Sequence, residues 1–199
     1  MITDPDPYAV ALTVVRVLDS LGVASTVGGS LASSFAGEPR STIDIDIVAA
    51  LEERHVASLL SHLGAEFYAD EDALRRAVRA RGNANLIHQP TMLKVDLFVA
   101  GGTPLDAQQL ARRQRVTLAD GRDIHVHPPE DILLQKLRWF KLGGEVSDRQ
   151  WRDVLGIVRV QGERLDRQYL ERNAPVLDVG DLLRRALTDA DGSVPPAGT

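Results

Sequence analysis

A Gly-Gly-Ser turn constrains this sequence more than any other single feature. Gly28, Gly29 and Ser30 follow a short β-branched stretch and precede a helical segment that Gly37 ends. A helix N-terminus carries N–H groups without intrahelical partners and favours anions, and glycine lets the backbone approach a phosphate closely. The turn therefore predicts a phosphate site, with Ser30 as a hydroxyl donor. Taken alone, however, these three residues fit an ordinary tight turn with Ser30 as the helix N-cap better.

Asp44 and Asp46 lie on a predicted strand over residues 43–48, in which isoleucines alternate with the aspartates. The period of two buries the isoleucines on one face and places both carboxylates on the other. The carboxylates stand about 6.6 Å apart along the strand, near enough to share one cluster of hard cations. Aspartate is depleted in strands, so the pair indicates a metal site. A solvent-facing polar side is the alternative.

Asp96 adds a third carboxylate on a predicted strand over residues 92–99, where it shares a face with Lys94 and Phe98. If this strand neighbours the first, Asp96 lies across from the aspartate pair, because facing side chains approach to about 5 Å. Three ionised carboxylates repel one another unless cations separate them. Mg²⁺ binds through carboxylates, waters and substrate phosphates, so it fits this ligand set.

Five segments in this order and spacing resemble the nucleotidyltransferase superfamily of the DNA polymerase β type. Within it, the chain is most similar to the small prokaryotic members, the minimal and the abortive-infection toxin nucleotidyltransferases. The resemblance covers roughly residues 20–160. The segments are Gly28-Gly29-Ser30, Arg40-Ser41-Thr42-Ile43-Asp44-Ile45-Asp46, Lys94-Val95-Asp96, Pro129 to Arg138, and Ser147 to Val154.

The resemblance implies a metal-dependent transfer of a nucleoside monophosphate from a nucleoside triphosphate to a hydroxyl acceptor. Asp44, Asp46 and Asp96 would hold two Mg²⁺ ions, with Mn²⁺ as an alternative, on either side of an in-line displacement. Asp96 is also the candidate general base. The glycine turn would hold the departing pyrophosphate. The acceptor is left open among a small molecule, a protein hydroxyl and a tRNA 3′ end.

Two basic residues complete the predicted nucleotide site. The resemblance places Lys136 near the triphosphate, whereas a surface lysine lying along an apolar helix face is the alternative. Arg40 precedes the aspartates and serves either as a phosphate contact or as a loop-structuring residue. Asp153 is predicted to be a structural partner of Lys136 or Arg138.

Composition is that of an ordinary globular protein, with 44% hydrophobic and 26% charged residues among 199. Without cysteine there is no disulfide framework and no thiolate zinc site. No apolar run approaches the ~20 residues of a membrane span, and the first residues lack a signal-peptide pattern, so we expect a cytoplasmic protein with no membrane partner. The net charge of −5 argues against extended nucleic-acid binding.

Hydrophobic periodicity predicts an α/β (α+β) fold, a nucleotidyltransferase-like mixed β-sheet flanked by helices with a C-terminal helical part. We expect a core over residues 1–128, helices packed on it over 129–190, and a disordered tail over 191–199. His125 and His127 are predicted to form a polar strand face. The aromatic residues of the helical part are predicted to pack in the core: Trp139, Phe140 and Trp151.

The predicted elements follow the alternation and the turn signals. Helices are expected at 8–21, 30–36, 52–63, 71–80, 105–111, 129–141, 147–161, 166–173 and 179–189. Strands are expected at 23–27, 43–49, 85–88, 92–99, 115–118 and 124–127. A hairpin turn is expected at Gln89-Pro90-Thr91 and another at Asp120-Gly121.

Three function classes remain open on the sequence. The first is the nucleotidyltransferase, with a toxin–antitoxin role and a cognate protein partner as one biological setting. The second is a non-catalytic nucleotide- or partner-binding protein that keeps the fold, although the presence of all three aspartates favours activity. The third, a plain α/β interaction module, explains neither the strand aspartates nor the glycine turn.

Overall fold

A mixed β-sheet organises the first part of the chain, which we describe from a computed structural model covering residues 6–37, 44–101, 104–118 and 120–192. Within these residues the strand order is β3-β4-β5-β2-β1-β7-β6. The pairs β1–β7 and β2–β5 are parallel and the other neighbours antiparallel. The strands are β1 (Ser25–Val27), β2 (Ile45–Ala49), β3 (Phe67–Tyr68), β4 (Asn83–His88), β5 (Leu93–Val99), β6 (Gln114–Thr117) and β7 (Asp123–Val126).

Helices connect these strands, and their ends follow local sequence signals. Asp6 accepts a hydrogen bond from the Tyr8 N–H at 2.9 Å, and Pro7 occupies the first turn of the first helix. Asp70 caps the fourth helix through the Ala73 N–H. The helices are α1 (Pro7–Ser20), α2 (Gly29–Ala36), α3 (Glu53–Leu63), α4 (Glu71–Ala80) and α5 (Pro104–Ala111), with a 3-10 turn at Gly64–Glu66.

The core of this part lies under one face of the sheet. Ile45, Ile47, Val95 and Leu97 alternate along the two central strands and are fully buried. Helix α1 packs against β1, β2 and β5, and α4 packs against β4 and β5. Burying this face leaves the alternate positions of the same strands, the aspartates among them, on the opposite side.

The C-terminal part is helical. Helix α6 (Pro129–Leu142) contacts α7 (Asp148–Gln161), α8 (Arg167–Asn173) and α9 (Gly180–Gly192), and a 3-10 turn spans Gly162–Arg164. The end of α2 belongs to this packing, because the Gln161 side-chain amide donates to the Ala36 carbonyl at 2.5 Å. The contacts divide the chain into two units, Met1–Ala32 with Ser41–His127 and Ser33–Arg40 with Pro128–Thr199.

The fold class predicted from the sequence is confirmed, a mixed sheet flanked by helices followed by a helical part. Helix α9 extends to Gly192, into the predicted disordered tail, and residues 193–199 lie outside those described. Trp139 corrects the core prediction, since it is exposed while Phe140 is buried. In the part of the chain that the structure describes, no helix is both long and apolar enough to cross a bilayer.

Candidate active site

Strand register places two of the predicted aspartates side by side. Asp46 on β2 and Asp96 on β5 are direct partners in the parallel pair, so their side chains leave the same face of the sheet. Neighbouring strands lie about 4.8 Å apart, which puts the two carboxylates next to each other. Asn85 on β4 is the antiparallel partner of Asp96 and extends the row to the next strand. We call Asn85, Asp96 and Asp46 the polar row.

The glycine turn closes the other end of this row. The Gly28 N–H donates to the Asp46 carbonyl at 2.9 Å, and α2 begins at Gly29. Gly29 has a φ of +54°, and a Cβ there would lie 3.0 Å from the Asp46 Cβ and overlap its carboxylate. Only glycine therefore fits this backbone beside this aspartate. Since Ser30 is the next residue of α2, an anion-favouring helix N-terminus stands directly beside the carboxylates.

A lysine lies among the acidic groups. The Lys94 ammonium is 2.8 Å from Asp96 Oδ2, in a pair whose side chains are 48% and 17% exposed. The hydrogen bond to Asp96 raises the pKa of Lys94, and the charges of Asp96, Asp44 and Asp46 raise it further, while burial opposes them. Asp44, exposed just before β2, thus acts on the same point as the other two aspartates. The position of the Lys94 ammonium, near these three aspartates, therefore favours a positive charge.

The carboxylate oxygens of the three aspartates are ligands of the kind that a divalent metal prefers. Asp44, Asp46 and Asp96 offer hard carboxylate ligands, and the Lys94 ammonium stands in for part of the positive charge that they attract. Across the described residues, no group of three or more His, Cys, Asp or Glu side chains is already gathered as a metal-ligand cluster. That the three carboxylates hold metal at one point stays a prediction, and in this structure the Lys94 ammonium lies on Asp96.

Of the two predicted basic residues, Lys136 lies within the described part of the chain and Arg40 does not. Lys136 lies on α6 in the second unit, where its ammonium pairs with Asp153 Oδ2 at 2.7 Å and both side chains are almost buried. The predicted partnership of Asp153 with Lys136 is thus confirmed. A contact of Lys136 with a triphosphate stays a prediction.

Sequence reasoning missed three residues near this face. Lys94 was placed on the Asp96 face without a role, although the i, i+2 spacing on one strand could have suggested their pairing. Asn85 needed the register of the β4–β5 hairpin. His127, whose N–H donates to the Val27 carbonyl at 3.1 Å, continues the row beyond Gly28.

The prediction of a polar strand face at His127 is wrong. Its side chain is 1% exposed, and neither ring nitrogen has a hydrogen-bond partner among the residues that the structure describes. Burial lowers the pKa of His127 from 6.5 to about 4, so the ring is neutral at physiological pH. Alternation alone could not show this, because strand position does not tell how deeply neighbouring segments cover a side chain.

Comparison with solved structures extends over almost the whole chain. The solution structure of the antibiotic-resistance factor ANT(2'')-Ia matches with a TM-score of 0.55 and 15% identity, over 96% of this chain and 98% of that one. ANT(2'')-Ia in its crystalline complex with adenylyl-2''-tobramycin matches with a TM-score of 0.57 and 11% identity, over 85% and 95%. An antigenic nucleotidyltransferase-like protein from Paracoccidioides brasiliensis matches with a TM-score of 0.54 and 17% identity, over 92% and 91%.

Sequence comparison adds nothing to these matches, because no protein-family model and no curated protein matches the chain. At identities of 11–17% the similarity concerns the backbone and not the individual side chains. The chain has the nucleotidyltransferase fold.

Proposed function

We propose that this protein is a metal-dependent nucleotidyltransferase that moves a nucleoside monophosphate from a nucleoside triphosphate to a hydroxyl acceptor. The observation that carries the proposal is the register of Asp46 with Asp96 next to the turn at Gly28 and Gly29. Hard carboxylate ligands and a phosphate-favouring helix N-terminus then lie side by side on one face. A metal-bound triphosphate needs both.

Each residue of the site has a role in this reaction. The acceptor hydroxyl attacks the α-phosphorus, the bond between that phosphorus and the bridging oxygen to the β-phosphate breaks, and pyrophosphate leaves. Asp96 takes the hydroxyl proton. The N–H groups of the turn and the Ser30 hydroxyl hold the pyrophosphate, together with Arg40 and Lys136. Asp44, Asp46 and Asp96 would hold two Mg²⁺ or Mn²⁺ ions, which would stabilise the charge on the phosphoryl oxygens.

A small molecule is the acceptor that we favour. ANT(2'')-Ia, which matches this chain over nearly its full length, is an antibiotic-resistance factor and is seen with adenylyl-2''-tobramycin. The three carboxylates also create a negative field beside the reacting position, which suits an acceptor that carries positive charge. A protein hydroxyl and a tRNA 3′ end are the other acceptors to test.

One observation favours a second candidate, a protein that binds nucleotide without transferring it. Lys94 already neutralises Asp96 in the structure. If this ion pair persisted with nucleotide bound, the third carboxylate would be lost to catalysis. The fold would then serve recognition alone.

Asp46→Asn tests the enzyme proposal. Incubation with each of the four triphosphates, labelled at the α-phosphate, and Mg²⁺ should label an acceptor from a panel of aminoglycosides, from lysate or from tRNA. Asparagine keeps the shape and loses the charge, so this variant should abolish transfer. It should also raise the thermal stability in metal-free buffer, because it relieves repulsion within the carboxylates.

Asp123→Asn is the matched control, since Asp123 is also a strand aspartate but belongs to β7 and bonds to Thr117. It should retain transfer. Wild-type protein that labels nothing with any triphosphate and shows no Mg²⁺-dependent thermal shift would rule out the enzyme in favour of the non-catalytic binder.

A further inference from the structure

Lys94 lies on the same strand as Asp96, two residues away, and on the same face. Its ammonium contacts Asp96 Oδ2 at 2.8 Å while its own side chain remains half exposed. The aspartate is much less exposed than the lysine. The ammonium therefore lies at the open side of the carboxylate and can leave it without unpacking the strand.

The ammonium on Oδ2 disfavours a metal on the same oxygen. Mg²⁺ binds a carboxylate oxygen at about 2.0–2.1 Å, so an ion at that oxygen would stand close to the ammonium with no ligand between them. A divalent ion and an ammonium at such a distance repel each other, because both are positively charged. Metal and ammonium therefore compete for Oδ2 of Asp96.

The Lys94 ammonium interacts electrostatically with three aspartates and not with Asp96 alone. Asp44 and Asp46 act on the ammonium as well as Asp96. The lysine thus supplies one positive charge to a site with three negative ones. Its removal would take away one positive charge that offsets the repulsion among the three carboxylates.

We propose that Lys94 is a positioning residue that holds Asp96 until a metal–triphosphate arrives, and so prevents the site from filling with metal alone. This inference rests on the proposed nucleotidyltransferase function and adds an order of binding to it. The triphosphate brings the negative charge to which the flexible lysine can turn, and Asp96 is released for the metal and the acceptor. In the free protein, Lys94 keeps the affinity for divalent ions low.

Mn²⁺ binding to the free protein tests this order. The dissociation constant of Mn²⁺ is measured in the absence of nucleotide by calorimetry and by electron paramagnetic resonance of the free Mn²⁺. Neither measurement depends on catalytic activity. Lys94→Met should lower that constant at least about tenfold, because it removes a positive charge beside the divalent ion. Lys94→Arg, which keeps the charge, should stay within about twofold of wild type.

Lys141→Met is the matched control, because Lys141 is a comparably exposed lysine that pairs with Asp178 at 2.7 Å in the second unit. It should leave Mn²⁺ affinity unchanged. The double variant Lys94→Met with Asp96→Asn should lose the gain, since the gain depends on freeing Asp96. Lys94→Gln replaces Lys94→Met if circular dichroism shows that the methionine variant is unfolded.

The outcomes separate this inference from the function on which it rests. If Mn²⁺–triphosphate binds the wild type but Lys94→Met binds free Mn²⁺ no more tightly, the inference fails and the proposed function stands. If neither protein binds Mn²⁺ with or without triphosphate, the proposed function fails and the inference with it. A gain in the Lys141→Met control would show a general charge effect and would also overturn the inference.

Discussion

Two lysine–aspartate ion pairs, one in each unit, have nearly the same length and very different surroundings. Lys94 and Asp96 are 2.8 Å apart with side chains 48% and 17% exposed, whereas Lys136 and Asp153 are 2.7 Å apart with 10% and 12% exposed. Separation of the buried pair would leave a charge without water, but separation of the half-exposed pair would not. Burial therefore makes one pair structural and leaves the other free to rearrange.

The difference in exposure between the two pairs also suits the placement of the candidate site at Asp96. A carboxylate that must exchange an ammonium for a metal needs access to solvent and substrate. Asp96 has that access on one side only, through the lysine that covers it. Asp153 is less accessible, so its separation from Lys136 should cost more free energy.

Loss of the buried partner should have the largest effect. Asp153→Ala leaves the Lys136 ammonium almost buried without its carboxylate, and we expect the free energy of unfolding to fall by about 3 kcal/mol or more. Urea denaturation followed by circular dichroism measures it. The double replacement Lys136→Met with Asp153→Leu should recover most of the loss. A fall below about 1 kcal/mol would show that burial does not distinguish the two pairs.

His127 extends the comparison to a buried group that has no hydrogen-bond partner within the described part of the chain. Its folded pKa is about 4 against 6.5 when exposed, so between these values the unfolded chain binds a proton that the folded chain does not. Stability should be complete above pH 6.5 and should fall by up to about 3 kcal/mol as the pH falls toward 4. Urea midpoints at several pH values measure the slope. His127→Leu should flatten it, and an unchanged slope in that variant would contradict the assignment.

Gly29→Val should weaken nucleotide binding by about 2 kcal/mol, the scale of lost charge-assisted hydrogen bonds. The new side chain would displace the Asp46 carboxylate and keep a phosphate away from the backbone. Calorimetric titration with a triphosphate and Mg²⁺ measures the change. Gly22→Val is the control, because Gly22 also has a positive φ of +70° but nothing within 4 Å of a new Cβ.

That control carries the backbone strain without the contact. It should lower stability while leaving triphosphate affinity as in the wild type. Equal affinity losses in both variants would mean that strain, and not the approach to Asp46, explains the effect of Gly29→Val.

The exposed pair in the second unit should show the smallest effect. Lys141 and Asp178 are 40% and 90% exposed, so Asp178→Ala should change the free energy of unfolding by under about 1 kcal/mol. The difference from Asp153→Ala, measured in the same urea series, then isolates burial from pairing. A loss as large as that of Asp153→Ala would remove the basis of the comparison.

Local patterns predicted most of the elements. Helix α4 has the predicted bounds, Glu71–Ala80, because Asp70 caps its start and Arg81 ends it in a left-handed conformation. Strand β5 keeps the predicted alternation of buried and more exposed side chains. The very short strand β3 was missed, since two residues offer no periodicity to detect.

The sequence by itself determined which face of each strand carries an aspartate and where the glycine turn meets a helix, because alternation and turn chemistry are local properties. Tertiary structure decided that β2 and β5 are parallel neighbours with Asp46 beside Asp96. It also decided that His127 is buried and that the Lys94 ammonium reaches Asp96. Strand order, register and depth depend on segments far apart in the chain, and no local period encodes them.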